Sequence, residues 1–282
     1  MKASRGGSTR QNSGNAAGGL AATRKAWFDE STRILVSQAQ ERAQKAKAKG
    51  GKGDDKKEAR QRSSQLSTSS DTVGVSFAGA AFQADYFASK FTKRGQLVYT
   101  ILSDLIAKSR YVLPPSTSTV SVASFGGGPG TDAAGIVWIQ REFFPHTTVH
   151  CTLYDYETSW KRYAKSLDDV FGDAVSVSFA PCDVTHPIDS EPNRRVTELE
   201  VVDIFLFCFV CHETSARQRN LQFYLDLASL AKPGALVVLA DVKTKSKDCL
   251  EQVAETMASV RPLVRLQLSK APTAEAVVFQ FA

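Results

Sequence analysis

Apolar and polar positions change rhythm near residue 73. Phe82, Tyr86 and Phe87 suit one short helix, and Leu97, Val98, Ile101, Leu102, Leu105 and Ile106 form the stripe of a second, stopped by Pro114-Pro115. Beyond that stop the pattern alternates. Strand-like runs at 120–125, 148–154, 175–180, 201–210 and 235–241 are separated by helix-like runs at 131–143, 158–170, 216–230 and 246–259. In the last helix Cys249, Leu250, Val253, Ala254 and Met257 share one face. Alternation of this kind predicts a parallel sheet with helices on both sides. The end of the chain breaks it: runs at 263–268 and 276–281 are joined by Ser269 to Glu275, too short for a helical crossover, which predicts an antiparallel hairpin at the sheet edge. The expected fold is α/β, a doubly wound, mostly parallel seven-stranded sheet with a C-terminal antiparallel hairpin.

Upstream the rhythm is absent. Residues 1–22 are rich in Gly, Ser, Asn and Ala, and Thr23 to Lys49 holds few large apolar residues (Trp27, Phe28, Ile34, Leu35) before an Ala/Lys/Gln tail. A helix is plausible there. The Ser/Thr cluster from Ser63 to Thr72 marks a boundary, dividing a disordered basic extension (1–71) from a domain (72–282) with two lead-in helices. Charge follows the same division. Residues 1–71 carry 15 Lys/Arg against 7 Asp/Glu, a balance of +8, while 72–282 carry 20 against 22, a balance of −2. A basic arm gains affinity for phosphates by releasing counterions, so RNA or a ribonucleoprotein is the expected partner. Targeting extensions are also basic, and five Lys/Arg precede the first acid, Asp29, as in a mitochondrial import segment. Lys45 to Lys57 reads as a nuclear signal, a nucleic-acid patch or a linker. No apolar run approaches the ~18 residues of a membrane span. Five cysteines, an odd count, point to an intracellular, reducing compartment, with cytoplasm, nucleus and mitochondrion all open. Cys208 and Cys211 have half-zinc-site spacing, but they fall in a strand-like run with no second pair, so no metal is expected.

The chemistry gathers at strand ends. Val120 to Phe125 runs into Gly126-Gly127-Gly128-Pro129-Gly130, then a helix with Thr131 as its expected cap. A glycine turn there lets backbone approach a ligand and directs helix-start N–H groups toward it. Asp155 ends the next strand, 25 residues beyond Gly130. It can accept the hydroxyls of a ribose or simply cap the following helix. Asp183, after Pro181-Cys182, can meet an adenine amino group or be a plain loop acid. At the end of the fourth strand, His212 and Glu213 have the side chains of a proton acceptor and its orienting partner, or they start the next helix.

Together these residues resemble the class I S-adenosylmethionine-dependent methyltransferases, over roughly Val75 to Ala282. The resemblance implies S-adenosylmethionine as cofactor, with Gly126, Gly127, Gly128 and Gly130 as its first motif, Asp155 as its ribose-binding acid and Asp183 as its adenine-side acid. Lys232-Pro233-Gly234 looks like the turn into the family's fifth strand, and the terminal hairpin like its sixth and seventh. It also implies that Tyr86, Lys90 and Arg94 could reach over the cofactor. Two departures stand out. Ser124 occupies the place of an acid the family often has two residues before the first glycine, with Asp132 as a candidate substitute. Phe209-Val210-Cys211-His212-Glu213 lacks the Asn/Asp-Pro-Pro-Tyr motif of DNA-base amino methylation and the acid of ribose 2′-O methylation. The expected function is methyl transfer, RNA favoured as acceptor, with His212 and Glu213 catalytic. Its rivals are a non-catalytic methyltransferase-like scaffold and an NAD-dependent oxidoreductase.

Overall fold

A computed structural model describes residues 14–48, 76–111, 119–172, 175–214, 221–242, 246–268 and 274–282. Its sheet has seven strands: β1 (Thr119–Phe125), β2 (Thr148–Asp155), β3 (Val175–Pro181), β4 (Ile204–Cys208), β5 (Leu236–Asp241), β6 (Leu263–Arg265) and β7 (Glu275–Phe281). They lie in the order β3-β2-β1-β4-β5-β7-β6. β1 to β5 are parallel, while β7 runs antiparallel to both β5 and β6. The expected fold class is therefore present. Strand order reverses between β1 and β4, and in such sheets the crevice at the carboxyl ends of the strands beside that reversal is where ligands bind.

Helices α1 (Gly14–Ala48), α2 (Ala80–Ala107), α3 (Thr131–Phe143) and α4 (Lys161–Phe171) cover one face of the sheet; α6 (Gln222–Leu230) and α7 (Lys247–Ala258) cover the other, and α5 (Cys211–Thr214) is a single turn after β4. Side-chain alternation along the strands feeds both layers. Val122, Leu206 and Val238 join the core beneath α1 to α4, while Ala123, Phe205, Phe207 and Val237 meet Phe223, Tyr224 and Leu250 on the other side.

Three boundaries differ from expectation. The two lead-in helices are one continuous helix, α2. Its Gly95 lies where α3 crosses: a Cβ at Gly95 would come 3.1 Å from that of Ala134, and one at Gly135 would come 2.6 Å from the Gly95 carbonyl. β4 is shorter than its apolar run because Leu199–Val201 forms a 3-10 turn and Phe209 departs at φ 63°. Within the N-terminal extension, residues 14–48 form helix α1, where the sequence allows a helix over Thr23 to Lys49. In α1, Phe28, Ser31, Leu35 and Ala39 are buried on one stripe, and the Phe28 ring stacks on Trp138 at 4.4 Å and Phe91 at 6.3 Å between centroids. Two of those four residues are small, so the stripe carries little hydrophobic signal and gains its burial from α2 and α3. Residues 1–13 and 49–75, including most of the Lys45–Lys57 run, lie outside the described residues. Among the described residues, no helix is long and apolar enough to cross a membrane.

Candidate active site

The glycine turn starts where β1 ends. Gly126, Gly128 and Gly130 have φ values of 63°, 48° and 81°, left-handed conformations that favour glycine. The Gly127 amide donates to the Tyr154 carbonyl at 3.1 Å and that of Gly130 to the Gly127 carbonyl at 2.8 Å, which folds the turn back over β2. Gly130 itself caps α3, and Thr131, the expected cap, is the first helical residue. The glycines have different reasons to be there. A Cβ on Gly126 would sit 2.6 Å from Val210, and one on Gly130 would collide with Leu167. A Cβ on Gly128 would meet nothing closer than Asp155 Oδ2 at 3.8 Å. Of these three positive-φ glycines, Gly128 thus presents its backbone to open space, and the other two are required by packing.

That space is a cleft at the carboxyl ends of the strands, about 870 Å³ with the open solvent at its mouth included. One half is built by β2 and β3. Asp155 is 7% exposed; its Oδ2 accepts from the Gly128 amide and its Oδ1 from that of Glu157, both at 2.9 Å. Burial raises its pKa to about 7, against the lowering effect of those two amides, with Glu157 and Asp183 adding to the rise. Trp160, Tyr156, Cys182 and Asp183 complete this half. The Asp183 carboxylate turns back on its own loop: Oδ1 accepts from the Thr185 amide at 3.0 Å and its hydroxyl at 2.7 Å, and Oδ2 lies 3.2 Å from His186 Nδ1. Asp183 therefore lines the cleft while shaping the β3 loop.

The other half belongs to β4 and α2. Phe209 holds positive φ, a strained conformation for a bulky residue, and its amide donates to the Ala240 carbonyl at 2.7 Å. Its ring lies under the Arg94 guanidinium, 4.0 Å from carbon to centroid, and Arg94 also sits 5.2 Å from the Tyr86 centroid. Tyr86 and Arg94, about two turns apart on α2, both line the cleft, whereas Lys90 between them does not. Glu213 and Thr214 close this side. Burial raises the Glu213 pKa to about 7, opposed by the nearby charges of Arg94 and His212.

His212 stands apart from the other expected site residues. It is not among the cleft-lining residues. Its Nδ1 is paired with Asp241 Oδ1, and its amide donates to Asp241 Oδ2 at 2.9 Å. Asp241, at the end of β5, is fully buried, and the His212 side chain is 9% exposed. Burial works to lower the His212 pKa, but the hydrogen bond and charge of Asp241 outweigh it and raise it. The imidazole thus fastens α5 to β5. Ser124 and Asp132 are also displaced from the cleft wall. Both are buried beneath the turn, Ser124 Oγ donating to Asp132 Oδ2 at 2.8 Å, with burial raising the Asp132 pKa to about 6. Cys208 and Cys211 are buried and unlinked, and among the described residues no three His, Cys, Asp or Glu side chains gather as metal ligands. Trp160, Phe77 and Phe209 are cleft residues that sequence reasoning missed. The first two carried no motif, and Phe209 read as the tail of a strand.

This fold is shared with solved methyltransferases. The CurJ carbon methyltransferase superposes with a TM-score of 0.50 at 16% identity, over 97% of this chain and 72% of that one. The CMeT domain of the citrinin polyketide synthase superposes with a TM-score of 0.51 at 13% identity, over 79% of this chain and 65% of that one. No protein-family model matches the sequence, and no curated protein does. The chain has the class I S-adenosylmethionine-dependent methyltransferase fold.

Proposed function

We propose that this chain transfers a methyl group from S-adenosylmethionine to an acceptor entering on the β4 side of the cleft. The observation that carries this reading is Asp155 beneath the open face of Gly128. Each Asp155 oxygen accepts one backbone N–H and keeps a lone pair, the acceptor pattern that two vicinal ribose hydroxyls need. Gly128 leaves room for the group attached to that ribose, so the residues fit the cofactor. When bound, S-adenosylmethionine supplies an electrophilic methyl group on a sulfonium.

The chain's own contribution is positioning and proton handling. Asp155 holds the ribose, Tyr156 and Cys182 flank the base, and Phe77, Tyr86 and Trp160 keep water from the turn. Glu213, poised near neutrality, accepts the proton released by the acceptor atom. Calorimetric titration of the full chain with S-adenosylmethionine and S-adenosylhomocysteine tests the reading. Absence of binding by folded protein at millimolar ligand would end it.

The second reading is a methyltransferase-like scaffold that binds cofactor without turnover. It is favoured by one observation: His212, the expected proton acceptor, is not among the residues that line the cleft. Cofactor binding without methylation of RNA, protein or small-molecule extracts would select it. The RNA expectation rests on tail residues largely outside the described range, and the cleft adds nothing to it. Removing 1–13 and 49–75 and finding RNA affinity and its salt slope unchanged would dismiss it.

A further inference from the structure

Four arginines are paired with carboxylates: Arg33 with Glu30, Arg110 with Asp104, Arg194 with Glu191 and Arg265 with Glu251. Arg42 on α1 and Arg162 on α4 are instead set beside one another. Their guanidinium carbons lie 4.8 Å and 5.8 Å from the centroid of one ring, that of Tyr163. Both side chains are half-buried and neither lines the cleft. Among the described residues no carboxylate stands at ion-pair distance from either, and Glu41 acts on Arg42 only from farther away. Burial lowers the Arg42 pKa, and the charge of Arg162 adds to the lowering. Like charges gathered in a partly dry place are costly unless an opposite charge joins them.

What holds the two cations is neutral. Arg42 Nη1 donates to Ser166 Oγ at 2.6 Å, and Arg162 Nη2 donates to Gln83 Oε1. Gln83 is fully buried, its Nε2 donating to the Phe77 carbonyl at 3.0 Å and to Ser159 Oγ at 2.5 Å, which fixes the amide that receives Arg162. The Nε of each arginine is buried without an acceptor. Tyr163 is 2% exposed, yet among the described residues its hydroxyl takes no partner. Burial raises its pKa to about 12, against the pull of Arg162 and Arg42, so near neutral pH it is an O–H donor beside two cations. The polar groups left over here are all donors.

We infer that Arg42, Arg162 and Tyr163 form an oxyanion site outside the cleft, in which a phosphate dianion bridges the two guanidinium groups and accepts the phenol O–H. A phosphate suits this place better than a carboxylate, because its three acceptor oxygens diverge toward donors on two different helices and its charge offsets two cations. The phosphate can be the free ion or the monoester of a small ligand, and the test separates these sources. The site stands whether or not the cleft holds S-adenosylmethionine.

The full-length chain is titrated calorimetrically with inorganic phosphate and with phenyl phosphate at about pH 8, where both are mainly dianions. Two charge-assisted contacts and a hydroxyl predict saturable binding of at least one probe, with a Kd of about 1 mM or below. Arg42→Met and Arg162→Met should each weaken it at least about tenfold, and Tyr163→Phe, which keeps the ring and loses only the hydroxyl, about three- to tenfold. Tighter binding of inorganic phosphate assigns the site to the free ion; equal or tighter binding of phenyl phosphate assigns it to a monoester. Either result supports the inference once the arginine variants respond. Location is read independently by phenylglyoxal modification of wild type, mapped by peptide mass spectrometry with and without the bound probe. Protection of Arg42 and Arg162, with Arg94 modified at an unchanged rate, supports the inference. Should the arginine variants fail to fold, this protection decides. Folded wild type that binds neither probe at about ten times that Kd would overturn the inference, as would arginine variants that bind as wild type does, or protection confined to Arg94.

Discussion

The two halves of the cleft are built by different means. On the β2–β3 side, each polar group is fixed by backbone a few residues away or across the adjoining turn: Asp155 by the amides of Gly128 and Glu157, Asp183 by Thr185. On the β4 side, the wall is assembled from parts distant in sequence. Arg94 comes from α2, Phe209 from a strained corner, and Glu213 from a one-turn helix held to β5 by His212 and Asp241. The first half is rigid and nearly self-contained, which suits a ligand that is always the same. The second leaves a cation and a near-neutral carboxyl facing open space, where chemistry and selectivity can be set.

The largest expected effect separates glycines of packing from glycines of binding. Gly130→Val should destabilise the protein by about 2–5 kcal/mol, from left-handed strain and overpacking against Leu167. Urea denaturation measures it. Gly128→Ala should cost only about 1–2 kcal/mol of stability yet weaken S-adenosylhomocysteine by at least about tenfold, because its Cβ points into the cleft. Equal behaviour of the two variants would contradict the division drawn between them.

Next is Asp155→Asn, expected to weaken S-adenosylhomocysteine by about 2 kcal/mol, roughly thirtyfold, by calorimetry. The pH profile sharpens this. With its pKa near 7, Asp155 is an ionised double acceptor above that pH and protonated below it. Affinity should therefore fall as pH drops from 8 to 6, by up to about tenfold per unit. Asp155→Asn should flatten the profile, whereas Glu213→Gln should leave most of it. A profile flattened by Glu213→Gln instead would move the titrating group to the β4 half. The smallest effect on binding is expected from His212→Asn: unchanged affinity for S-adenosylhomocysteine with a stability loss of about 1–2 kcal/mol, read by denaturation. Tenfold weaker binding would return His212 to the site.

The sequence is legible where structure is local. Strand periodicity, the spacing of the terminal hairpin, the glycine turn and the acid ending β2 are all encoded within a few residues of one another, and the fold follows from them. Three features were illegible for one shared reason. The orientation of His212 is decided by Asp241, far along the chain on another strand. Phe209 read as strand because its positive φ depends on the corner that Ala240 anchors. The α1 stripe includes Ser31 and Ala39, whose burial is a property of the neighbours they meet. In each case the deciding partner is tertiary.

The docking of α1 has a consequence in time. Synthesis delivers Phe28 long before the rings that flank it, Phe91 and then Trp138. At about 5–20 residues per second, Phe28 waits on the order of ten seconds for its second partner. During that interval the nascent helix presents an apolar stripe with no core to receive it, while the parallel sheet beneath it cannot yet close. Chaperone demand should therefore begin while the ribosome is still translating α3 and ease only once β4 and β5 emerge to complete the sheet beneath it.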